Sequence, residues 1–168
     1  MAYMSDDEAS GRNWLWIAGD EGGHLAAFQT FGGGWMPAGV RKSLGNAEVV
    51  DAFLDDLFRS GRTHCLGNVR DERLLTGGAA PLSDRHPASV SAFIGGIKRA
   101  ASSGLFIYYP HQASSELSGY LQVGYPSAAL TLSDVPPEIR VVARRAVLRG
   151  GAFRDNLYIL PRMLAEHL

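Results

Sequence analysis

Residues 13–31 constrain the fold of this 168-residue chain more than any other stretch. Two runs of aromatic and branched residues flank the acidic, glycine-containing segment 20–23. This pattern is typical of a β-hairpin with a loop of about four residues. Because side chains alternate along a strand, Trp16 points to one face of the sheet, whereas Leu15 and Ile17 point to the other. A strand that is apolar on both faces is normally covered on both, so we predict that the hairpin lies in the middle of a sheet.

The length and composition are those of one globular domain. Apolar residues make up 46% of the chain and charged residues 20%, which are ordinary proportions for a folded protein. A chain of this length buries about 70% of its unfolded surface in a single core. Residues 1–12 are polar and are predicted to form a flexible N-terminus, which leaves residues 13–168 as the single folded domain.

Apolar periodicity predicts three helices. The first covers residues 46–61 and carries a continuous stripe of apolar side chains at helical spacing. The second covers residues 89–104, where the pair Gly95-Gly96 is expected to allow close packing against a neighbour. The third begins at a cap in the 133–134 segment and ends at Gly150.

The order of the elements predicts the fold class. Strands are predicted at 63–69, 105–109, 120–125 and 128–132, with loops at 74–87 and 111–118. Hairpin, helix, helix, strands and helix do not alternate as they would in a parallel, doubly wound fold. We therefore predict an α+β single domain, with a mainly antiparallel sheet in which the central N-terminal hairpin is packed by about three helices. Its core is expected to include Trp16, Phe53 and Phe93.

Charge is distributed unevenly along the chain. Residues 1–56 carry nine acidic and three basic side chains, a net charge of −6, whereas the remainder carries eight acidic and thirteen basic ones, a net charge of +5. Such segregation can direct a protein to a charged partner, but the two halves can equally neutralise each other on folding. The acidic turn, an acidic helix ridge and a tryptophan in a glycine loop give a candidate partner-binding set. Its members are Asp20, Glu21, Trp35, Glu48, Asp51 and Asp55.

The sequence contains no motif for catalysis, metal binding or cofactor binding. The histidines are scattered without ligand spacing, and the glycine stretches lack the residues that complete a phosphate-binding loop. We therefore predict no catalytic residue, no metal site and no cofactor. Cys65 follows His64, but neighbours in a strand point to opposite faces and cannot form a nucleophile–base pair. A small cytoplasmic enzyme that uses Cys65 or a pocket carboxylate is the alternative.

The chain lacks the sequence features of exported and membrane proteins. It has one cysteine, and its acidic N-terminus does not have the order of a signal peptide. No apolar run approaches the roughly 20 residues of a membrane helix. We expect a cytoplasmic protein that binds no membrane. Nucleic acid is not expected as a partner, because the net charge is −1 even though Arg140, Arg144 and Arg145 make the third helix basic.

Two segments have distinctive strand and turn patterns. Residues 19–28 place the acidic turn and a Gly23-His24 pair between two strands, and a glycine-rich stretch and Pro37 follow. The pattern of residues 130–138 is typical of the connection between a strand and a following helix. Together the two segments resemble small bacterial immunity proteins from toxin–immunity loci. The resemblance implies a cytoplasmic protein that binds and blocks a cognate toxin, and it brings no defined functional residue with it.

Overall fold

A computed structural model describes residues 4–10, 12–31, 34–76, 87–112 and 118–166. Among these residues there are six α-helices and eight β-strands. The helices are α1 (Asp6–Ser10), α2 (Ala38–Arg41), α3 (Leu44–Arg59), α4 (Glu72–Thr76), α5 (Pro87–Ser102) and α6 (Pro137–Ala143). The strands are β1 (Leu15–Asp20), β2 (Leu25–Gln29), β3 (Gly67–Val69), β4 (Phe106–Gln112), β5 (Ser118–Pro126), β6 (Ala146–Leu148), β7 (Tyr158–Ile159) and β8 (Leu164–Glu166).

The strands form one mixed sheet, so the chain has the predicted α+β fold. In the described part of the chain the strand order is β3-β5-β4-β2-β1-β6-β8, and β7 also pairs with β5. The pairings of β1 with β6 and of β2 with β4 are parallel, whereas the others are antiparallel. The hairpin of β1 and β2 therefore has a neighbouring strand on each side.

The structure contains the hairpin that the sequence predicts. Strands β1 and β2 are antiparallel, and their pairing starts with Leu15 opposite Gln29. Residues 21–24 connect the strands. Gly23 has a φ of 81°, a left-handed conformation that glycine adopts with little strain, and its N–H donates to the Asp20 carbonyl oxygen over 3.0 Å. The glycine in the acidic turn is thus required by the backbone.

One face of the sheet carries a column of stacked aromatic rings. Trp16 of β1 stacks on Phe28 of β2 with ring centroids 4.1 Å apart, and Phe28 stacks on Tyr108 of β4 at 4.9 Å. Tyr120 of β5 meets Phe28 edge-on at 5.1 Å, and Phe153 lies 5.9 Å from Tyr108. All five side chains are buried. Pairs of this kind add about 0.5–1.5 kcal/mol each beyond the burial of their area, so the column is a main part of the core.

Helices α3 and α5 pack on the opposite face of the sheet. At the β3–β5 edge, α5 lies against the strand backbones. A Cβ atom on Gly67 would overlap the Lys98 carbonyl oxygen, and a Cβ atom on Gly124 would lie 2.7 Å from Ile97 Cγ2. These two glycines therefore set the distance between α5 and this edge.

The first two predicted helices are present with shifted ends. Helix α3 begins at Leu44 rather than Asn46, because Ser43 is its N-cap and the Ser43 hydroxyl oxygen accepts the Asn46 N–H over 3.3 Å. Helix α5 covers residues 87–102 instead of 89–104. The apolar stripes thus predict the positions of both helices, whereas the ends of the helices depend on their caps.

The third predicted helix is wrong in its second half. Helix α6 ends at Ala143, and residues 146–148 form strand β6 instead of a further helical turn. Strand β6 pairs in parallel with the end of β1 at Gly19 and Asp20, and it pairs with β8 on its other side. In residues 146–148, the backbone therefore forms hydrogen bonds with β1 and β8 instead of hydrogen bonds within a helix.

The predicted strand at 128–132 is also wrong. Within it, Thr131 makes an isolated bridge to His24, and Leu132–Asp134 forms a short 3-10 helix. Strand β3 is confined to the last three residues of the predicted strand at 63–69.

The predicted loops at 74–87 and 111–118 lie partly outside the described residues. Their described ends belong to α4, α5, β4 and β5. The glycines at 32–33 lie outside the described residues as well.

Residues 4–10, which belong to the predicted flexible N-terminus, pack against the fold. Met4 is fully buried, and its N–H donates to the Arg41 carbonyl oxygen over 3.0 Å. The carbonyl oxygen of Glu8 in α1 accepts the Trp14 Nε1–H over 2.9 Å. This segment therefore covers part of the core.

Of the three side chains expected in the core, Trp16 is buried, whereas Phe53 and Phe93 are only half-buried. The two phenylalanines lie on the apolar stripes of α3 and α5 and pack against the core, but part of each side chain stays exposed. The expectation of full burial is wrong for both.

This difference in burial predicts a difference in stability. Trp16→Ala should lower the free energy of unfolding by about 3–5 kcal/mol, because it removes a buried ring from the column. Phe53→Ala should cost clearly less, because its ring is already partly exposed. Chemical denaturation measures both, with Val49→Ala at an exposed position as the control. Equal losses for Trp16→Ala and Phe53→Ala would contradict this packing.

Candidate functional site

Asp20, the first residue of the predicted partner-binding set, is buried. Its carboxylate accepts the N–H of His24 over 2.9 Å and the N–H of Phe153 over 3.2 Å, and it lies 3.3 Å from His24 Nδ1. The side chain is 0% exposed. Asp20 therefore holds the hairpin loop and the C-terminal segment together, and it presents no charge to a partner. Its neighbour Glu21 is exposed.

Asp51 and Asp55 on α3 are tied to neighbouring groups. Asp51 accepts the Leu15 N–H over 2.7 Å and pairs with Arg12 over 2.9 Å, so it connects α3 to the start of β1. Asp55 pairs with Arg59 over 3.0 Å, as their spacing of four residues predicts. Part of the acidic charge of α3 is thus neutralised within the protein.

The remaining charge of α3 lies on its exposed side, which we call the acidic face of α3. Its exposed members are Glu48, Val49, Ala52 and Asp56, and the partly exposed Asp55, which is paired with Arg59, borders them. Positions 48, 52 and 56 follow one row along the helix, because residues four apart lie on the same side. The carboxylates of Glu48 and Asp56 form no ion pair or hydrogen bond with other described residues, and Val49 beside them is 48% exposed. Asp56 thus belongs to this surface in place of Asp51.

Trp35 is part of the core as well as of the surface. Its ring is half-buried and meets Trp16 edge-on at 6.4 Å, and its carbonyl oxygen accepts the Tyr120 hydroxyl over 2.6 Å. Truncating Trp35 would therefore change the core along with any contact surface.

Cys65 has no catalytic partner among the described residues. Its thiol lies 3.9 Å from the carbonyl oxygens of Ala101 and Ser102 and is partly buried. His64 is exposed. The backbone N–H groups of His64 and Cys65 both donate to the Ser102 carbonyl oxygen. In the described ranges, no three His, Cys, Asp or Glu side chains cluster as a metal site would require.

A buried polar cluster lies beside the aromatic column. Gln122 Nε2 donates to the Tyr108 hydroxyl and to the Phe153 carbonyl oxygen, each over 2.8 Å. The Tyr108 hydroxyl donates to the Asn156 carbonyl oxygen over 2.6 Å, and Arg70 donates to Gln122 Oε1. These hydrogen bonds satisfy the amide of Gln122 and the hydroxyl of Tyr108, so the cluster stabilises the fold. It joins residues far apart in sequence, and no local motif indicates it.

The predicted basic surface of the third helix is not continuous. The Arg140 guanidinium donates to the carbonyl oxygens of Leu132 and Val135, over 2.8 and 3.2 Å. Arg145 is partly buried, whereas Arg144 is exposed. Arg140 therefore caps the preceding turn rather than extending into solvent.

A half-open cavity of about 320 Å³ separates α3 and α5 from the hairpin and β4. Its walls include Gln29, Phe58, Phe93, Gly96, Ala100 and Tyr109. The expectation that Gly96 serves close packing is wrong, because a Cβ atom there would have no closer neighbour than Arg99 Nη2, 3.9 Å away. The helical stripes indicate Phe58 and Phe93 as inward-facing, but the cavity itself depends on how the two helices sit on the sheet.

Comparison with protein-family models, curated proteins and solved structures found no match for this chain. Within the described ranges, every helix is too short or too polar to cross a membrane. The functional conclusion therefore depends on the geometry described above.

Burial raises the pKa of Tyr108 and Tyr120 well above the ordinary tyrosine value. The main cause is loss of hydration, which disfavours the charged phenolate. Hydrogen bonds from Gln122 to Tyr108 and from Trp16 to Tyr120 act in the opposite direction and only partly offset it.

These raised pKa values predict a loss of stability at alkaline pH. Above the ordinary tyrosine pKa of about 10, the unfolded chain releases phenolic protons that the folded chain retains, so the free energy of unfolding falls as pH rises. Denaturant unfolding between pH about 9 and 11 measures the slope. Tyr108→Phe and Tyr120→Phe should each make the slope shallower than in the wild type. An unchanged slope in the double variant would contradict the prediction.

Proposed function

We propose that this protein is an immunity-type binding protein, which neutralises a cognate bacterial toxin by covering the toxin's active site with the acidic face of α3. The main support is the pair of exposed carboxylates, Glu48 and Asp56, that have no partner among the described residues. They are eight positions apart on a rigid helix, a separation of about 12 Å along its axis. A partner with basic groups at a similar spacing would be complementary to them.

Charge complementarity favours a basic protein as the partner. A toxin that acts on nucleic acid or nucleotides needs cationic groups to hold phosphates, and an acidic helix can occupy the same groups. The field of the acidic N-terminal segment would also speed the encounter of the two proteins. A cytoplasmic location, in which the single thiol stays reduced, belongs to this proposal.

The centre of the acidic face is suited to a close contact. Val49 and Ala52 are exposed between the carboxylates, and both are small and apolar. Interfaces typically bury an apolar centre within a polar rim, where rim charges mainly set the association rate. Glu21, on the hairpin turn, is a further exposed acid that can extend the rim.

The alternative, an enzyme that uses Cys65 or a pocket carboxylate, has less support. The Cys65 thiol lies against two backbone carbonyl oxygens, and the residues that line the cavity between α3 and α5 include no carboxylate. No specific observation favours this alternative over the binding protein.

A matched pair of charge reversals tests the proposed surface. Glu48→Lys/Asp56→Lys should reduce the association rate with the partner about tenfold at low ionic strength and should flatten its salt dependence. Folding should survive, because both positions are exposed and off the apolar stripe. The partner is first captured from the source cells and purified, and stopped-flow kinetics are then measured at low and moderate salt.

The control variant is Glu138→Lys/Asp155→Lys, which makes the same change in net charge at exposed positions outside α3. It should bind nearly as fast as the wild type. Equal slowing by both variants would show a general effect of net charge and would contradict the assignment to α3. The immunity proposal itself is overturned if the purified partner retains full activity in the complex.

A further inference from the structure

We propose that the cavity between α3, α5 and the sheet binds a neutral aromatic small molecule of about two fused rings that carries one hydrogen-bonding group. This site is separate from the acidic face of α3, which lies on the exposed side of that helix. The cavity is bordered by Phe58 on α3, Phe93 on α5 and residues of β1, β2 and β4 on the sheet. The walls of the cavity are all described residues, and they come from both layers of the fold.

The chemistry of the walls selects for a neutral, aromatic occupant. No lining residue carries a charge, so an ionic ligand would lose hydration without gaining a counter-charge. The rings of Phe58, Phe93 and Tyr109 border the space, and aromatic rings pair favourably in stacked or edge-on contact. A flat ring system can use several of these contacts at once.

The volume sets the size of the occupant. An apolar cavity of about 150 Å³ is sufficient to bind benzene. The cavity here measures about 320 Å³, roughly twice that volume, which corresponds to about two rings. It also falls within the range of about 300–1,000 Å³ that is typical of small-molecule sites.

Gln29 supplies the polar contact. It lies at the end of β2, opposite Leu15, and its side chain is partly buried at the cavity wall. Within the described part of the chain, the Gln29 side chain makes no hydrogen bond. A glutamine amide both donates and accepts, so it can bind a hydroxyl or a carbonyl group on the ligand. One amide in an otherwise apolar wall fits a ligand with one such group.

Two adjacent glycines on α5 provide a matched test. Gly96 borders the cavity and lies on the same side of the helix as Phe93 and Ala100, because residues three and four apart share a side. Gly95 does not border the cavity. A Cβ atom would fit at either position, with the nearest neighbour at 3.9 Å for Gly96 and 3.7 Å for Gly95. The first side-chain atom of a leucine therefore fits at either position, but only at position 96 does the side chain border the cavity.

The probe is 2-naphthol, a neutral two-ring molecule with one hydroxyl group, titrated into the full chain by calorimetry. We expect saturable binding of one molecule per chain. Gly96→Leu should weaken binding at least about tenfold, whereas Gly95→Leu should bind like the wild type. Gln29→Leu should weaken the binding of 2-naphthol about three- to tenfold, which corresponds to the loss of one neutral hydrogen bond. The same substitution should leave the binding of naphthalene unchanged.

Several outcomes would overturn the proposal. They are an absence of saturable binding by the wild type, equal weakening by Gly95→Leu and Gly96→Leu, or tighter binding of the aliphatic 1-decanol than of 2-naphthol. If Gly96→Leu does not fold, the comparison of Gln29→Leu with the wild type decides the question. In that comparison, an equal loss of affinity for 2-naphthol and naphthalene would exclude a hydrogen bond from Gln29.

Discussion

The stacking of Trp16, Phe28 and Tyr108 fixes how the first half of the chain joins the second. These residues are also register partners, Trp16 with Phe28 across β1 and β2 and Phe28 with Tyr108 across β2 and β4. A shift of one residue in either pairing would move a ring to the other face and break the column. The column therefore specifies both an antiparallel and a parallel pairing, which no local turn could do for β2 and β4.

The aromatic column also determines where polar groups must be satisfied. Tyr108 in the column and Gln122 beside it are buried and cannot reach water. Both side chains donate hydrogen bonds to backbone carbonyl oxygens of Phe153 and Asn156, and Asp20 accepts a hydrogen bond from the same segment. An unsatisfied buried polar group costs about 1–3 kcal/mol. The hydrogen bonds that satisfy the polar groups of the core therefore hold the C-terminal segment in place.

Local patterns predicted the parts of the fold that depend on neighbours in sequence. The hairpin and the helices α3 and α5 have alternation, apolar stripes and caps within a few residues. No local pattern indicates strand β6, because its pairing with β1 depends on residues from the other end of the chain. The sequence likewise indicates Asp20 as an acidic residue of an exposed turn, because its partner in the buried state, the N–H of Phe153, is distant in sequence. Of the predicted contact residues, Glu48 lies fully on the surface, whereas Asp51 is engaged by Leu15, a contact that no spacing rule indicates.

The cavity lowers the stability of the fold, and the packing of α5 on the sheet does not require it. The glycine at position 96 lowers the helix propensity of α5 by about 1 kcal/mol relative to alanine, and it leaves Phe93 half-buried. A larger side chain has room there and would cover more apolar surface, so stability alone favours replacement of Gly96. At Gly67 and Gly124 the opposite holds, because the backbone or side chains of α5 occupy the space that a Cβ atom would need. The fold thus requires the two strand glycines that α5 contacts at the β3–β5 edge, whereas it does not require the helix glycine Gly96 above the hairpin. An occupant that fills the space beside Gly96 would restore the missing contacts and recover the stability that the open cavity loses.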